Sequence, residues 1–250
     1  MKAILLAICI MVPFTGIFGS TDSLYRSAIT HYEEGRYDES LQQYREILAR
    51  GVESPVLYYN MGNAAYRSNH LGYAILYYEK ALKLDPGFED AAYNLRFVSQ
   101  FKSDRFEEVP ELFIKRWFNA LITGVSERVW AVISITAFFL LLTGILFYIF
   151  ARGFPLKKTG FFSAVVFLVI FGFSAFAASV QRKNITEPDK AIIIAPTVFV
   201  KSSPSESGND LFILHEGTRV EMEEEVSGWR NIRIVDGRTG WIPGDSFLPV

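Results

Sequence analysis

Two stretches interrupt an otherwise mixed alternation of apolar and polar positions. Residues 129–151 read VWAVISITAFFLLLTGILFYIFA and residues 160–180 read GFFSAVVFLVIFGFSAFAASV, and neither contains an ionisable side chain. Each reaches the roughly 20 residues that a helix needs to cross about 30 Å of hydrocarbon. Such a run becomes a helix in lipid because every backbone amide must be satisfied within the segment. A core helix of a soluble domain would keep a polar face, and neither run has one. The pattern predicts a membrane-embedded helical hairpin, 129–151 and 160–180, joined by the loop 152–159. With no charge inside, the hairpin is an anchor and not a transport path or proton relay. Gly172, Ser174, Ala175, Ala177 and Ala178 in its second arm suit close helix packing.

Before the hairpin the period is helical, and residues 21–108 repeat. Residues 55–88 carry Tyr58, Met61-Gly62, Ala65, Ala74, Tyr78, Ala81-Leu82 and Pro86. A shift back of about 34 residues gives Leu24, Ala28, Ser40, Tyr44 and Ile47-Leu48, with Gly35-Arg36-Tyr37 at the turn. That copy has Ala28 at the glycine position and lacks the closing proline. A shift forward gives Asp90-Ala91-Ala92-Tyr93-Asn94-Leu95, the start of a capping helix over 89–102. The physical logic is close helix contact at Gly62, Ala65 and Ala74, with Tyr58, Met61, Tyr78 and Leu82 filling the remaining space. This pattern resembles the tetratricopeptide repeat, with units 21–54 and 55–88. The resemblance implies an all-α stack that binds peptides or helices on a concave face. That face would present Tyr25, Ile29 and Tyr32, then Tyr59, Asn63, Tyr66 and Arg67, then Tyr93 and Phe97. The alternative is that these tyrosines pack between helices. The set of Lys and Asn residues needed for a two-carboxylate clamp is only partly present. Two units and a cap are near the minimum for a stable stack. A partner, self-association or the segment after Val109 would complete it.

Residues 109–128 place Leu112-Phe113-Ile114, Trp117-Phe118 and Leu121-Ile122 at helical spacing, with Lys115, Arg116 and Asn119 between them. An amphipathic helix lying on the membrane surface is one expectation; a last helix packed on the repeat stack is the other. Trp117 and Trp130 are suited to headgroup depth.

After a linker over 181–188 the period changes to two. Short alternating runs at 191–195, 197–201, 211–214, 218–225, 229–235 and 238–242 read as strands separated by Pro, Gly and Asn turns. Asp236-Gly237 is a strong hairpin signal. The pieces VKSSP, LFILHEGT, GWRNIR and DGRTGWIP within 189–250 resemble a bacterial SH3-type domain. That likeness implies a small all-β barrel, with Phe199, Trp229 and Trp241 as groove candidates and a peptide or cell-wall fragment as ligand. In so small a barrel, core packing of at least two of these aromatics is the competing expectation. Glu221, Glu223, Glu224 and Glu225 read as a solvated strand edge that charge protects from pairing.

The formal net charge of −2 is unevenly spread. Residues 21–108 carry −4, residues 109–181 carry +4 and residues 182–250 carry −3. The basic excess belongs to the membrane region, and neither acidic block has the basic face of a nucleic-acid binder. Cys9 is the one cysteine, which excludes disulfides and a thiol nucleophile from the modules. Residues 1–20, with Lys2, an apolar core and Gly16, Gly19 and Ser20, follow the plan of a signal peptide. Arg152, Lys157 and Lys158 favour the cytoplasm for the hairpin loop, so both large blocks are expected outside it.

No Gly-rich phosphate loop, HExxH, CxxC or Gly-x-Ser-x-Gly occurs, so neither an enzyme nor a cofactor or metal site is expected. The order of signal, repeats, hairpin and SH3-type domain resembles the BatE family of the Bacteroides aerotolerance operon. That likeness implies a periplasm-facing scaffold in the bacterial inner membrane, linked to aerotolerance or oxidative stress. Its implied partners are von Willebrand factor A domain proteins such as BatA and BatB and a MoxR-type ATPase system. The rival readings are a cell-wall sensor or tether that binds peptidoglycan through the SH3-type domain, and an assembly factor for an exported or membrane enzyme.

Overall fold

The computed structural model describes residues 15–106, 113–186 and 189–250. Most of the expected signal segment and the start of the connector, with Pro110 and Leu112, lie outside these residues. The chain divides into two compact units, 1–53 and 54–250. It comprises a helical repeat region, two long apolar helices and an antiparallel all-β domain.

In the first unit, α1 (Thr15–Glu33) and α2 (Tyr37–Ala49) form a helix pair. Gly35 turns the chain between them at a φ of 77°, a conformation glycine adopts without a Cβ penalty. Ala28 and Ser40 are both fully buried where the helices meet. The Ser40 hydroxyl donates to the Ala28 carbonyl at 2.8 Å, so this polar contact is satisfied. Burial, together with Tyr25, pushes the Tyr44 hydroxyl up to about 12, which keeps it neutral.

The second unit opens with α3 (Pro55–Arg67), α4 (Leu71–Leu84) and α5 (Glu89–Val98), followed by a 3-10 turn at Ser99–Phe101. α3 begins where Ser54 accepts a hydrogen bond from the Leu57 amide at 3.1 Å and Pro55 occupies the first turn. A Cβ on Gly62 would lie 2.6 Å from the Tyr78 ring, so α3 and α4 approach more closely than any larger residue permits.

α6 (Phe113–Thr123) leads into α7 (Glu127–Phe150) and α8 (Phe154–Thr186). Both α7 and α8 are long and apolar enough to cross a membrane. Only 17% and 11% of their most apolar windows are buried, unlike core helices of a soluble domain. α8 starts earlier and ends later than its apolar run. Pro155 suits a first helical turn, so Lys157 and Lys158 are helical and the non-helical loop shrinks to 151–153. The expected linker is helical through Thr186. The two helices meet closely at Gly144 and Gly160, where an added Cβ would stand 2.9 Å from Ala164 N and 2.6 Å from Tyr148 N respectively. Ser174 and Ala177 are buried as expected, whereas a Cβ on Gly172 would meet nothing within 4 Å.

The C-terminal domain contains β1 (Lys190–Ile193), β2 (Thr197–Lys201), β3 (Asp210–His215), β4 (Arg219–Val226), β5 (Trp229–Arg233), β6 (Thr239–Pro243) and β7 (Phe247–Pro249). They form one antiparallel sheet in the order β3-β2-β6-β5-β4-β1-β7. Its core is aliphatic, built from Ile193, Val200, Leu214, Ile232, Ile234 and Ile242 among others. The Asp236-Gly237 turn joins β5 to β6 as expected, with Ile234 N donating to Arg238 O at 3.0 Å. Arg238 hydrogen-bonds Asp236 and holds its carboxyl below the usual carboxylate range. β1 pairs only with residues 219–221 of β4, so Glu223, Glu224 and Glu225 run past it and stay exposed, as a solvated edge would, while Glu221 lies inside the sheet. β4 lies between β5 and β1, and Glu223 and Glu225 pair across the strands with Arg233 and Arg230. Their charges face basic partners on β5, so they match strands rather than repel them.

Candidate functional site

The β-domain packs on α4, and the contact is intimate. A Cβ on Gly72 would come 2.8 Å from Ile193 O, and a Cβ on Gly217 would come 2.6 Å from Ile75 Cδ1. His70, at the N-cap of α4, makes no side-chain cap bond. Glu216 provides one instead, accepting from the Gly72 amide at 3.0 Å, so its negative charge sits at the positive end of the helix. Arg219 pairs with Glu79, and Lys83 Nζ donates to Val250 O at 2.5 Å.

Just beyond the 3-10 turn, Asp104 clasps the same strand end. Its carboxylate accepts from His215 N at 2.7 Å and from Thr218 Oγ1 at 2.6 Å, and meets His215 Nδ1 at 2.8 Å. Burial alone would raise its pKa, but the bonds from Thr218 and His215 outweigh that and hold it below the usual range. Further along the seam, the Arg238 guanidinium lies 5.3 Å from the Phe106 ring and 4.5 Å from the Phe212 ring, within cation–π range. The expected completion of the stack by a partner, by self-association or by the segment after Val109 is thus met on α4 by the β-domain.

On the other side of the repeat, α3 and α5 present an aromatic face. Tyr59 stands 5.1 Å from Phe88 and 6.1 Å from Tyr78. Tyr66 meets Phe97 edge-on at 5.8 Å and lies 6.3 Å from Phe101. Tyr93 is 65% exposed, Phe97 40% and Phe101 54%, so this cluster is wet on its outer side. Arg67 is exposed beside it. Asn63 lies deeper, where its Oδ1 accepts from Tyr78 Oη at 2.6 Å and from Asn94 Nδ2 at 2.9 Å. That bond network fixes the floor between the two helices. In the first unit, Tyr25 packs on Tyr44 at 5.8 Å and Tyr32 on Tyr37 at 5.2 Å, and all three α1 candidates, Ile29 included, are half-buried. Phe101 escaped the sequence reading, although it follows Phe97 by one helical turn.

The β-domain carries a cleft of about 350 Å³ lined by Phe199, Lys201, Glu206, Trp229, Pro243 and Asp245, among others. Phe199 is 48% exposed, and Lys201 is held by Asp210 at 2.6 Å. Phe199 and Trp229 come together here; Trp241 is half-buried, lies opposite Lys201 and Asn231 in the sheet, and does not line the cleft.

Residues 55–88 match the tetratricopeptide repeat family, and residues 196–247 match the bacterial SH3 domain family. No curated protein matches the chain. The tetratricopeptide match coincides with α3, α4 and the following turn, the helices that carry the docking contacts of α4 on one side and part of the aromatic face on the other. The SH3-domain match runs from just before β2 into β7 and includes all of the cleft lining except Ala195. Both families are typically binding modules, so the chain joins a protein-interaction element to a second binding domain.

Proposed function

We propose that this chain is a membrane-anchored protein-interaction scaffold of the bacterial cell envelope, similar to BatE. Its two binding modules face the extracytoplasmic side of the inner membrane. The observation that carries the reading is the half-open aromatic face of Tyr59, Tyr66, Tyr93 and Phe97 on a repeat whose α4 side is already occupied. An exposed aromatic cluster on rigid helices favours an apolar peptide or helix anchor. The exposed sides of α7 and α8 support the anchor, and Arg152, Lys157 and Lys158 at the turn between them support its orientation. By resemblance to the BatE family, the partners are von Willebrand factor A domain membrane proteins and a MoxR-type ATPase system, with a role in aerotolerance.

The test is affinity capture of the full chain from membranes, with captured proteins identified by mass spectrometry. Wild type is expected to retain a von Willebrand factor A domain protein, and Tyr93→Ala with Phe97→Ala to lose it at unchanged helicity. Equal capture by both proteins would remove the aromatic face from the account. A second reading, peptidoglycan tethering, is favoured by the Phe199–Trp229 cleft. Co-sedimentation of the full chain with purified wall that Phe199→Ala abolishes, without loss of protein capture, would support it.

A further inference from the structure

Helix α6 reads FIKRWFNALIT and contains no acid. At about 100° per residue, Phe113, Trp117, Leu121, Ile114 and Phe118 fall in succession on an arc of about 140°. Ile122 lies at the edge of that arc, and Lys115, Arg116 and Asn119 lie on the opposite side. Phe113, Ile114 and Trp117 are 79%, 76% and 60% exposed, so among the described residues nothing covers this part of the apolar arc.

The other end of α6 is fixed in place. Ile122 is buried with Trp130 of α7 and Ala177 of α8, and Phe173, Ala178 and Val180 pack against that cluster. Trp130 Nε1 donates to Ile122 O at 3.0 Å, and Gln181 Nε2 donates to Val125 O at 3.0 Å. The Phe118 and Phe176 rings lie 6.5 Å apart. Through these contacts α6 packs on α8. Ala177 lies about 5 Å along the helix inside the end of the apolar run at Val180. The anchored end of α6 therefore sits where hydrocarbon gives way to headgroups, and its exposed arc continues the apolar surface of α7 and α8. Arg128, Arg182 and Lys183 belong to the same layer.

We propose that α6 lies in the bilayer surface, with Phe113, Ile114, Trp117, Phe118 and Leu121 in the acyl boundary and Arg116 toward anionic headgroups. This rests on the reading of α7 and α8 as membrane-spanning. An apolar arc opposite a cationic one is the pattern that binds anionic lipid surfaces. A lipid-held α6 makes the connector between repeats and hairpin a bracket rather than a free tether.

The test uses the full chain carrying Cys9→Ser, in nanodiscs of phosphatidylcholine with or without phosphatidylglycerol. Single cysteines are introduced by Phe113→Cys, Ile114→Cys, Arg116→Cys and Asn119→Cys, with Phe139→Cys and Val169→Cys as hairpin controls, and each is nitroxide-labelled. Accessibility to oxygen and to a water-soluble nickel chelate is then measured. At 113 and 114 the oxygen-to-nickel ratio is expected to be several-fold higher than at 116 and 119, and to rise with the anionic lipid. Uniform nickel access along α6, with the controls in lipid, would overturn the proposal while leaving the hairpin intact. So would labels at 113 and 114 that become shielded only when other membrane proteins are added. Nickel access at 139 and 169 would overturn the spanning reading and this proposal with it. Equal ratios in both lipids would overturn the anionic preference.

Discussion

α3 and α4 belong to the same matched repeat, yet each is completed differently. α3 is locally self-sufficient: Ser54 and Pro55 start it, and its outer aromatics, Tyr59 and Tyr66, are half-buried beneath the exposed rings of α5. α4 has no side-chain cap of its own at His70, and its N-terminal charge is met by Glu216, 144 residues away. One helix is thereby committed to an intramolecular domain contact, and the other remains open to a partner. A short repeat array can be made stable by docking a second module on one face and still keep a binding face on the other.

The sharpest way to break this asymmetry is at Gly217. Its φ of +84° and the 2.6 Å approach of its would-be Cβ to Ile75 penalise any side chain twice. Gly217→Val is expected to destabilise the full chain by about 2–4 kcal/mol, read by thermal unfolding in detergent. Gly228 has a similar φ of +81° with nothing within 4 Å. Gly228→Val should therefore show only the backbone cost, about 1–2 kcal/mol. Equal losses at the two sites would mean that the Ile75 side chain yields and that this contact does not limit the seam.

Next in size is Asp104→Ala, which strands the His215 amide and the Thr218 hydroxyl and is expected to cost about 2–3 kcal/mol. The pH dependence follows from the same group. The folded-state pKa of Asp104 lies below its ordinary value. Its stabilisation is therefore full above the ordinary carboxylate range and is lost as pH falls through the lower folded value. Asp104→Asn should flatten that acid limb of a stability–pH profile; an unchanged limb would place the titration elsewhere.

Glu216→Ala should cost about 1 kcal/mol, the scale of a lost cap, and Glu216→Gln less, because an acceptor remains. Smallest is Tyr93→Ala, expected to change stability by no more than about 0.5 kcal/mol because its side chain is mostly exposed. A larger loss, by chemical denaturation, would mark Tyr93 as a packing residue.

Short-range patterns carried most of the fold. Gly62 opposite Tyr78, the Asp236-Gly237 turn and the uncharged runs at 129–151 and 160–180 each state their geometry within a few dozen residues. The Asp104 clasp was not legible, because a lone aspartate after a helix gives no sign of a partner 111 residues away. Docking of the β-domain was hidden for the same reason: nothing in the local sequence around Gly72 or Gly217 points to a contact so far along the chain. The charge run marked the exposed stretch of β4 at Glu223–Glu225, but the strand that covers Glu221 and the arginine partners on β5 could not be read from alternation. Within the site, helical spacing placed Tyr59, Asn63 and Tyr66 on one stripe and the repeat resemblance added Phe97, while Phe101, in the 3-10 turn after α5, was missed.

The most direct measurement places a photo-crosslinking amino acid at Tyr93 on the open side, or at Glu79 on the α4 side, of the full chain in native membranes. The account predicts intermolecular products from position 93 and intramolecular products joining position 79 to the β-domain. Intermolecular products from position 79, with none from position 93, would contradict it.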